Sequence, residues 1–379
     1  MTSPHLTRLI LQDFRSYPAL ELRIAGRLVA FIGENGAGKT NLLEAISLFS
    51  AGRGLRRADL GDMAREKGAG GFAVAAEISG PMGSVRLGTG LEPAGSEGQG
   101  PRKYRIDGEA ATSSTAFNDH LRMVWLTPSF DGLFSGSAGD RRRFLDRLVL
   151  AVDPTHGTRV SALERALRSR NRILEVQNPD AGWLDAVERE VAETGVAVAA
   201  ARRETVGQLA GLIAKTRSEL SPFPWAKIHL EGPIEAELAT RAAVDVEDSF
   251  RSLLRVNRPR DRAAGRATVG PQASDLLVRH GPKDIAADRA STGEQKALLI
   301  GIVLAHARLV ASISGIAPLV LLDEVAAHLD PRRRAALFNT LHALGAQVFM
   351  TGADRHIFTD LPAGAERFHV TPGKVAPLD

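Results

Sequence analysis

A chain of 379 residues with 44% hydrophobic and 24% charged residues has the composition of a globular protein, with room for about two domains at ~150 residues each. It contains no Cys, which excludes disulfide frameworks, thiolate zinc sites and thiol nucleophiles. The net charge of +4 is modest. Most cations are Arg, whose planar forks suit phosphate, although abundant Ala and Gly make a plain compositional bias an equal reading.

Residues 1–17 carry Arg8, Asp13 and Arg15 and no apolar h-region, so no secretory signal is expected. Leu20, Leu22 and Ile24 alternate with Glu21 and Arg23 as in a half-buried strand. Residues 27–32 form a short apolar run that stops at Gly33, the pattern of a buried strand, and 41–48 then read as helix. Residues 72–79, 84–91 and 102–107 continue the β pattern, with a Gly/Glu/Pro loop over 91–100. From about residue 139 the period becomes helical: Leu184, Val187 and Val191, then Val206, Leu209 and Ile213, with no strong breaker between 183 and 220. Residues 221–224 end that block, and the basic stretch 255–266, which contains Pro259, is expected as a loop. A segment at 275–278, a helix from about Glu294, a strand over 318–322, a helix from Pro331 and a strand over 347–351 complete the chain. The apolar run 298–305 is far short of the ~20 residues that cross a bilayer, so a soluble cytoplasmic protein is expected. The expected architecture is an α/β head made of 1–138 and 251–379, with a helical insertion over 139–250.

Gly33-Glu34-Asn35-Gly36-Ala37-Gly38-Lys39-Thr40 fits G-x-x-x-x-G-K-[ST] between a strand and a helix, the context that makes a P-loop. Backbone N–H groups there would cradle phosphates at a helix N-terminus. Lys39 would reach the β- and γ-phosphates, Thr40 would ligate Mg²⁺, and Asn41 follows at the helix start. Pro318–Glu324 is an apolar strand ending in two carboxylates. Asp323 would hold Mg²⁺ and Glu324 would orient or deprotonate the attacking water.

A third segment, Ser291-Thr292-Gly293-Glu294-Gln295, precedes an apolar helix and resembles the S-x-G-[EQ]-Q signature of ATP-binding-cassette ATPases. In that class the signature meets the γ-phosphate held by a partner subunit, which implies ATP, Mg²⁺ and an ATP-dependent homodimer. Ser291 and Glu294 also satisfy a capping box, and the two readings are compatible. His328 and Asp330 lie in a segment similar to the D-loop of the same class, with Asp330 expected across the dimer interface. Transporter cassettes carry a histidine after the last core strand, where Thr351 stands here; His356 is expected as a surface or capping residue.

Spacing separates the cassette classes. Lys39 and Ser291 are 252 residues apart, much farther than in transporter ATPases. The insertion lacks the sustained heptads of the chromosome-structure ATPases. Leu11–Tyr17 resembles the L-x-x-F-R-x-[YH] opening of DNA-repair cassette ATPases, which implies a nucleotide role for Arg15. Gly52-Arg53-Gly54-Leu55-Arg56 resembles the G-R-S-F-R segment of the RecF family, Asp140-Arg141-Arg142-Arg143-Phe144-Leu145-Asp146 its E-R-R-R-F-L-D, and Ala166–Asn171 its A-L-x-x-R-N. Two departures stand out: Gln272-Ala273 replaces the His-Arg of G-P-H-R-D-D-L, and Pro128-Ser129-Phe130-Asp131 replaces P-E-D-L.

The resemblance implies a weak, DNA-stimulated ATPase that binds double- and single-stranded DNA at gaps. Its implied partners are RecR and RecO, and indirectly RecA and single-strand-binding protein, with no membrane. Arg53, Arg56 and Arg57 are the leading DNA candidates, followed by Arg141, Arg142 and Arg143, which could instead pair with Asp140 and Asp146. The loop 255–266 is a further candidate, and Arg332–Arg334 reads as a solvated or interface face. The rival reading is the ATPase of a transport or energy-coupling complex. A scaffold that binds nucleotide without hydrolysing it is the third, opposed by Lys39, Asp323 and Glu324.

Overall fold

The computed structural model describes residues 3–80, 83–93, 100–217 and 221–378. Strand β1 (His5–Phe14) turns at Arg15 into β2 (Tyr17–Arg23), and β3 (Leu28–Ile32) is buried along its whole length. Helix α1 (Lys39–Ser47) and a single turn α2 (Leu60–Met63) follow. The β pattern of the first hundred residues becomes β4 (Phe72–Gly80), β5 (Gly83–Leu91), β6 (Lys103–Ile106) and β7 (Glu109–Ala111). The loop expected over 91–100 falls mostly on 94–99, outside the described residues. Strand β8 (Met123–Leu126) precedes the helices α3 (Ala138–Val152), α4 (His156–Glu175) and α5 (Ala181–Thr216). Then come β9 (Ala226–Glu231), α6 (Pro233–Glu237), α7 (Ala243–Val256), α8 (Arg258–Ala264), β10 (Asp275–His280) and β11 (Ile285–Ala286). The chain closes with α9 (Thr292–Ser314), β12 (Leu319–Leu322), α10 (Pro331–Leu344), β13 (Val348–Gly352), β14 (Glu366–Thr371) and β15 (Lys374–Pro377).

The chain divides into two compact units. The head, made of Met1–Asp131, Arg217–Trp225 and Ser291–Asp379, holds two six-stranded sheets. One is antiparallel in the order β2-β1-β4-β5-β6-β7. The other runs β15-β14-β3-β13-β12-β8, with all neighbours parallel except the edge pair β14–β15. Parallel strands covered on both faces read as continuous apolar runs, which is why 318–322 and 27–32 were legible as buried strands. The inner faces share one core, in which Phe31 lies 6.2 Å from Phe349 and 5.9 Å from Phe368 between ring centroids.

The helical unit comprises Gly132–Thr216 and Ala226–Ala290. Its core gathers Leu163, Val191, Val196, Phe250 and Leu254 from α4, α5 and α7. The expected boundary at 250 is corrected to 290. β10 pairs with β9 in a small antiparallel sheet of this unit, a long-range pairing that local pattern does not announce.

The loop expected over 255–266 is also corrected, because the segment is the end of α7 followed by α8. Pro259 sits in the first turn of α8, where its missing N–H costs nothing. Arg258 bonds Asp185 and Glu188, and Arg262 donates to the Leu174 carbonyl. Arg258 and Arg262 are thereby occupied within the helical unit. Helix α9 is the one described helix long and apolar enough to cross a bilayer, and 72% of its apolar window is buried in the fold, as in a core helix.

Candidate nucleotide-binding site

Gly33 and Gly38 of the loop after β3 leave no room for a side chain. A Cβ on Gly33 would stand 2.2 Å from the Val370 carbonyl oxygen. Gly38 has φ +108°, a left-handed conformation, and a Cβ there would come within 2.8 Å of both Ser16 Oγ and Tyr17 Oη. The Tyr17 hydroxyl donates to the Gly38 carbonyl at 3.1 Å, and burial pushes its pKa up. The β1–β2 turn therefore buttresses the loop from behind. Glu34, Asn35 and Gly36 are exposed while Ala37 is buried. No side chain caps α1 at Gly38; the Asn41 N–H donates to the Gly38 carbonyl, and the N–H groups of Lys39 and Thr40 face the loop as an anion site needs. Lys39 Nζ donates to the carbonyls of Gly33 (2.8 Å) and Glu34 (2.9 Å) and lies 3.9 Å from Glu324 Oε1.

The two acidic-motif residues face this loop from β12. Thr40 Oγ1 donates to Asp323 at 2.9 Å (Oδ1) and 3.2 Å (Oδ2). A hydroxyl and a carboxylate are hard oxygen donors, few enough to leave the remaining positions to phosphates and water, and that set fits Mg²⁺. Thr351, at the end of β13, donates to Asp323 Oδ1 at 2.7 Å and accepts the Glu324 N–H at 2.9 Å. Glu324 itself sits at φ +53°, an uncommon conformation for a side chain of its size, and keeps 35% of its side chain exposed. Thr351 thus ties the Asp323 carboxylate to the Glu324 backbone. In the sequence it stands out only as a missing histidine. The available signal was a polar residue closing an otherwise apolar strand.

Ser291 caps α9: its Oγ accepts the Glu294 N–H at 3.4 Å, and Glu294 Oε2 accepts the Ser291 N–H at 3.1 Å. Thr292 and Gly293 are exposed and Gln295 is buried. Asp330 caps α10 by accepting the Arg333 N–H at 2.9 Å. The His328 side chain lies outside the described residues. Asp131, from the segment that departs from P-E-D-L, pairs with Lys296 of α9 at 3.1 Å. His356 is exposed in a 3-10 turn whose cap is Asp354, the acceptor of the His356 N–H, as the surface reading expects.

Arg15 takes a course that sequence did not indicate. It binds Glu44 of α1 through two bonds of 2.9 Å, and its Nη1 donates to the Asp62 carbonyl. Arg56 reaches the same carboxylate at 3.0 Å. Arg53 pairs with Asp59 at 3.4 Å with both side chains open to solvent, and Arg57 is exposed at φ +55°.

In the helical unit, Arg141 spends its fork on Asp275, two bonds of 2.7 Å, and Arg142 donates to the Ser274 carbonyl at 2.7 Å. Arg141 thus has its fork committed to Asp275, whereas Arg142 has one donor in its bond. The exposed Arg143 pairs with Asp140. Gln272 donates to the Val269 carbonyl at 2.7 Å, so it braces its own loop.

A family model described as the RecF/RecN/SMC N terminal domain matches residues 5–372. The chain is 54% identical over 375 residues to the DNA replication and repair protein RecF of Mesorhizobium japonicum, covering 99% of this chain and 98% of that one. It is 52% identical to the protein of the same name from Rhizobium meliloti over 376 residues, covering 98% and 100%. Among solved structures, the recombination mediator protein RecF with an ATP analogue superposes with a TM-score of 0.87 at 20% identity, over 100% of this chain and 99% of that one. An SMC head domain from Pyrococcus furiosus superposes at 0.55 and 17% identity, over 99% and 96%.

Proposed function

The chain belongs to the RecF family, and from that premise we propose an ATP-driven DNA clamp that mediates recombination at single-strand gaps. It is an ABC-type ATPase of DNA replication and repair, with ATP and Mg²⁺ as its nucleotide and metal. The observation that supports the reading most is the contact of Thr40 with Asp323 at 2.9 Å, which brings together the P-loop and the acidic strand from positions 283 residues apart.

Thr40 and Asp323 would hold Mg²⁺, which supplies charge neutralisation on the phosphates when bound. Lys39 releases two loop carbonyls to take the phosphates. Glu324, partly open and fixed by Thr351, orients the attacking water and receives its proton. One head carries an uncapped P-loop helix and a signature cap at Ser291, Thr292 and Gly293. These are halves of a composite site, so ATP would join two copies, with Asp330 at the junction. Hydrolysis would open the dimer. Such a site acts as a timer, with turnover below the enzyme median of about 10 s⁻¹.

The work proposed for the clamp is to bind gapped duplexes, act with RecR and RecO, and promote loading of RecA where single-strand-binding protein coats the gap. That places it in the cytoplasm, off the membrane. The transport reading lacks support: Thr351 occupies the histidine position and is committed to Asp323 and Glu324. The test is binding of a fluorescent gapped duplex with ATP, with ADP and with no nucleotide. Tight binding with ATP alone is the expected result, and nucleotide-independent binding would refute the clamp.

A further inference from the structure

The arginine run at the start of α10 is not a uniform face. Arg332 is exposed, Arg334 lies 3.7 Å from Asp360, and Arg333 keeps only 27% of its side chain exposed. Arg333 reaches three places in the head. Its Nε donates to the Pro222 carbonyl at 3.3 Å and stands 3.6 Å from Asp330 Oδ2. Its backbone N–H donates to the other oxygen of the same carboxylate at 2.9 Å. Its Nη1 stands over the signature turn, where a Cβ on Gly293 would lie 4.0 Å away. One planar, many-donor side chain therefore spans the Asp330 cap, the signature glycine and residue 222.

Residue 222 belongs to an excursion of the chain. After Thr216 the chain leaves the helical unit, spends Arg217–Trp225 in the head and returns to the helical unit as β9. The excursion is seated on the signature helix itself. A Cβ on Gly301 of α9 would stand 3.3 Å from the Pro224 carbonyl oxygen and 4.0 Å from Phe223 Cβ, and Phe223 is buried. Glycine at 301 thus lets the main chain of the excursion lie against α9. The Arg217 guanidinium lies 5.3 Å from the centre of the Trp225 ring, which ties the two ends of the excursion together.

We propose that Arg333 is a positioning residue for hydrolysis in trans: it fixes the signature turn and the Asp330 turn to one another, and takes its own place from the 217–225 excursion. The inference rests on the reading of ATP as the joint between two heads, and adds what keeps each head's half of that joint in shape. The two turns start different helices, α9 and α10, yet must meet one nucleotide together, and a misplacement of about 1 Å at such a site is costly. Arg333 acts through Gly293 and Asp330 and leaves the nucleotide of its own head alone. The excursion is continuous with α5 and β9, so the helical unit has a covalent route to the half-site.

The test uses the full chain with Mg²⁺ and ATP. Sedimentation in a Glu324→Gln background gives the dimer dissociation constant, and dilute monomer gives ATP affinity. Arg333→Ala should weaken the dimer by about tenfold, as the loss of a hydrogen bond to a charged group implies, with monomer ATP affinity unchanged. With Glu324 intact and protein concentrated enough to restore the dimer, single-turnover hydrolysis should still be slower by about tenfold, because the half-site is present but misplaced. Arg333→Lys, which cannot reach residue 222 and the signature turn at once, should recover little of either. Gly301→Ala pushes the excursion off α9 and should give a smaller loss of the same kind, and the Gly301→Ala/Arg333→Ala double variant should be no worse than Arg333→Ala alone.

Full hydrolysis by Arg333→Ala at high protein concentration would make Arg333 an interface contact only and overturn its positioning role. Full rescue by Arg333→Lys would show that a point charge beside Asp330 suffices and that the bridge is wrong. Lost ATP affinity in the Arg333→Ala monomer would assign the residue to its own head's nucleotide and overturn the proposal. Additive losses in the double variant would detach the excursion from Arg333. Should Gly301→Ala fail to fold, the two Arg333 variants still decide the bridge. Protein with Arg333 intact that stays monomeric with ATP would sink the two-head reading and this inference with it, a result that none of the Arg333 outcomes imitates.

Discussion

Replacing Thr351 by Val keeps the shape of a buried side chain, 1% exposed, and deletes one hydroxyl with two partners. The hydroxyl's bond to the Asp323 carboxylate is 2.7 Å and the bond it accepts from the Glu324 N–H is 2.9 Å. A hydrogen bond to a charged group is worth about 1.5–3 kcal/mol, and an orphaned buried donor costs about 1–3 kcal/mol. The site is partly open beside Glu324, so water recovers some of this, and a loss of about 2–4 kcal/mol in unfolding free energy is expected. The catalytic effect should be separate. Glu324 is held at φ +53°, a conformation costing on the order of 1–3 kcal/mol that persists only where its surroundings enforce it. Without the Thr351 anchor the carboxylate loses its aim, and single-turnover hydrolysis should slow by about 10–100-fold, or roughly 1.4–2.7 kcal/mol. Urea titration and quench-flow of bound ATP measure the two effects, and Thr351→Ser should restore most of both. A Val variant with wild-type hydrolysis and wild-type stability would show that the anchor does nothing.

Ser291→Arg should abolish ATP-dependent dimerisation in gel filtration while sparing ATP binding by the monomer; lost monomer affinity would contradict a site completed by the partner copy. Glu324→Gln should trap the ATP-bound dimer, because the metal and phosphate contacts remain, whereas Lys39→Met should never form it; wild-type turnover in the Glu324 variant would remove that residue as the base. Burial raises the pKa of Glu235 in the helical unit above its ordinary 4.5. The stability it contributes is therefore full below about pH 4.5 and is lost as pH rises through the raised value. Glu235→Gln should accordingly gain in melting temperature over wild type between pH 4.5 and 8, and a gap that does not change with pH would mean that ionisation is not its cause.

The head was legible where physics is local. The strand of residues 28–32, the glycines at 33 and 38 and the Ser291–Glu294 cap each carry their reason within a few residues. The P-loop and the acidic strand also predict each other, so Asp323 could be placed against Thr40 from sequence. What stayed hidden depends on chain segments far apart meeting. Glu44 looks like one more charge on a helix until Arg15 and Arg56 arrive from two other segments, and Thr351 gains meaning only from β12 alongside. The same blindness set the wrong boundary at 250, since β10 declares its allegiance only by pairing with β9. Arginine runs left two readings open, phosphate or carboxylate, and the carboxylates that Arg141 and Arg258 meet, Asp275 and Asp185, come from distant segments that local pattern does not announce.

The central claim, that ATP closes two heads into a DNA clamp, is tested most directly by light scattering of the Glu324→Gln protein. Mass should double from the 40.5 kDa monomer on adding Mg²⁺ and ATP, and a gapped duplex should then be retained at salt that strips it from the nucleotide-free protein. A particle that stays monomeric at saturating ATP, with DNA retention unchanged by nucleotide, would contradict the account.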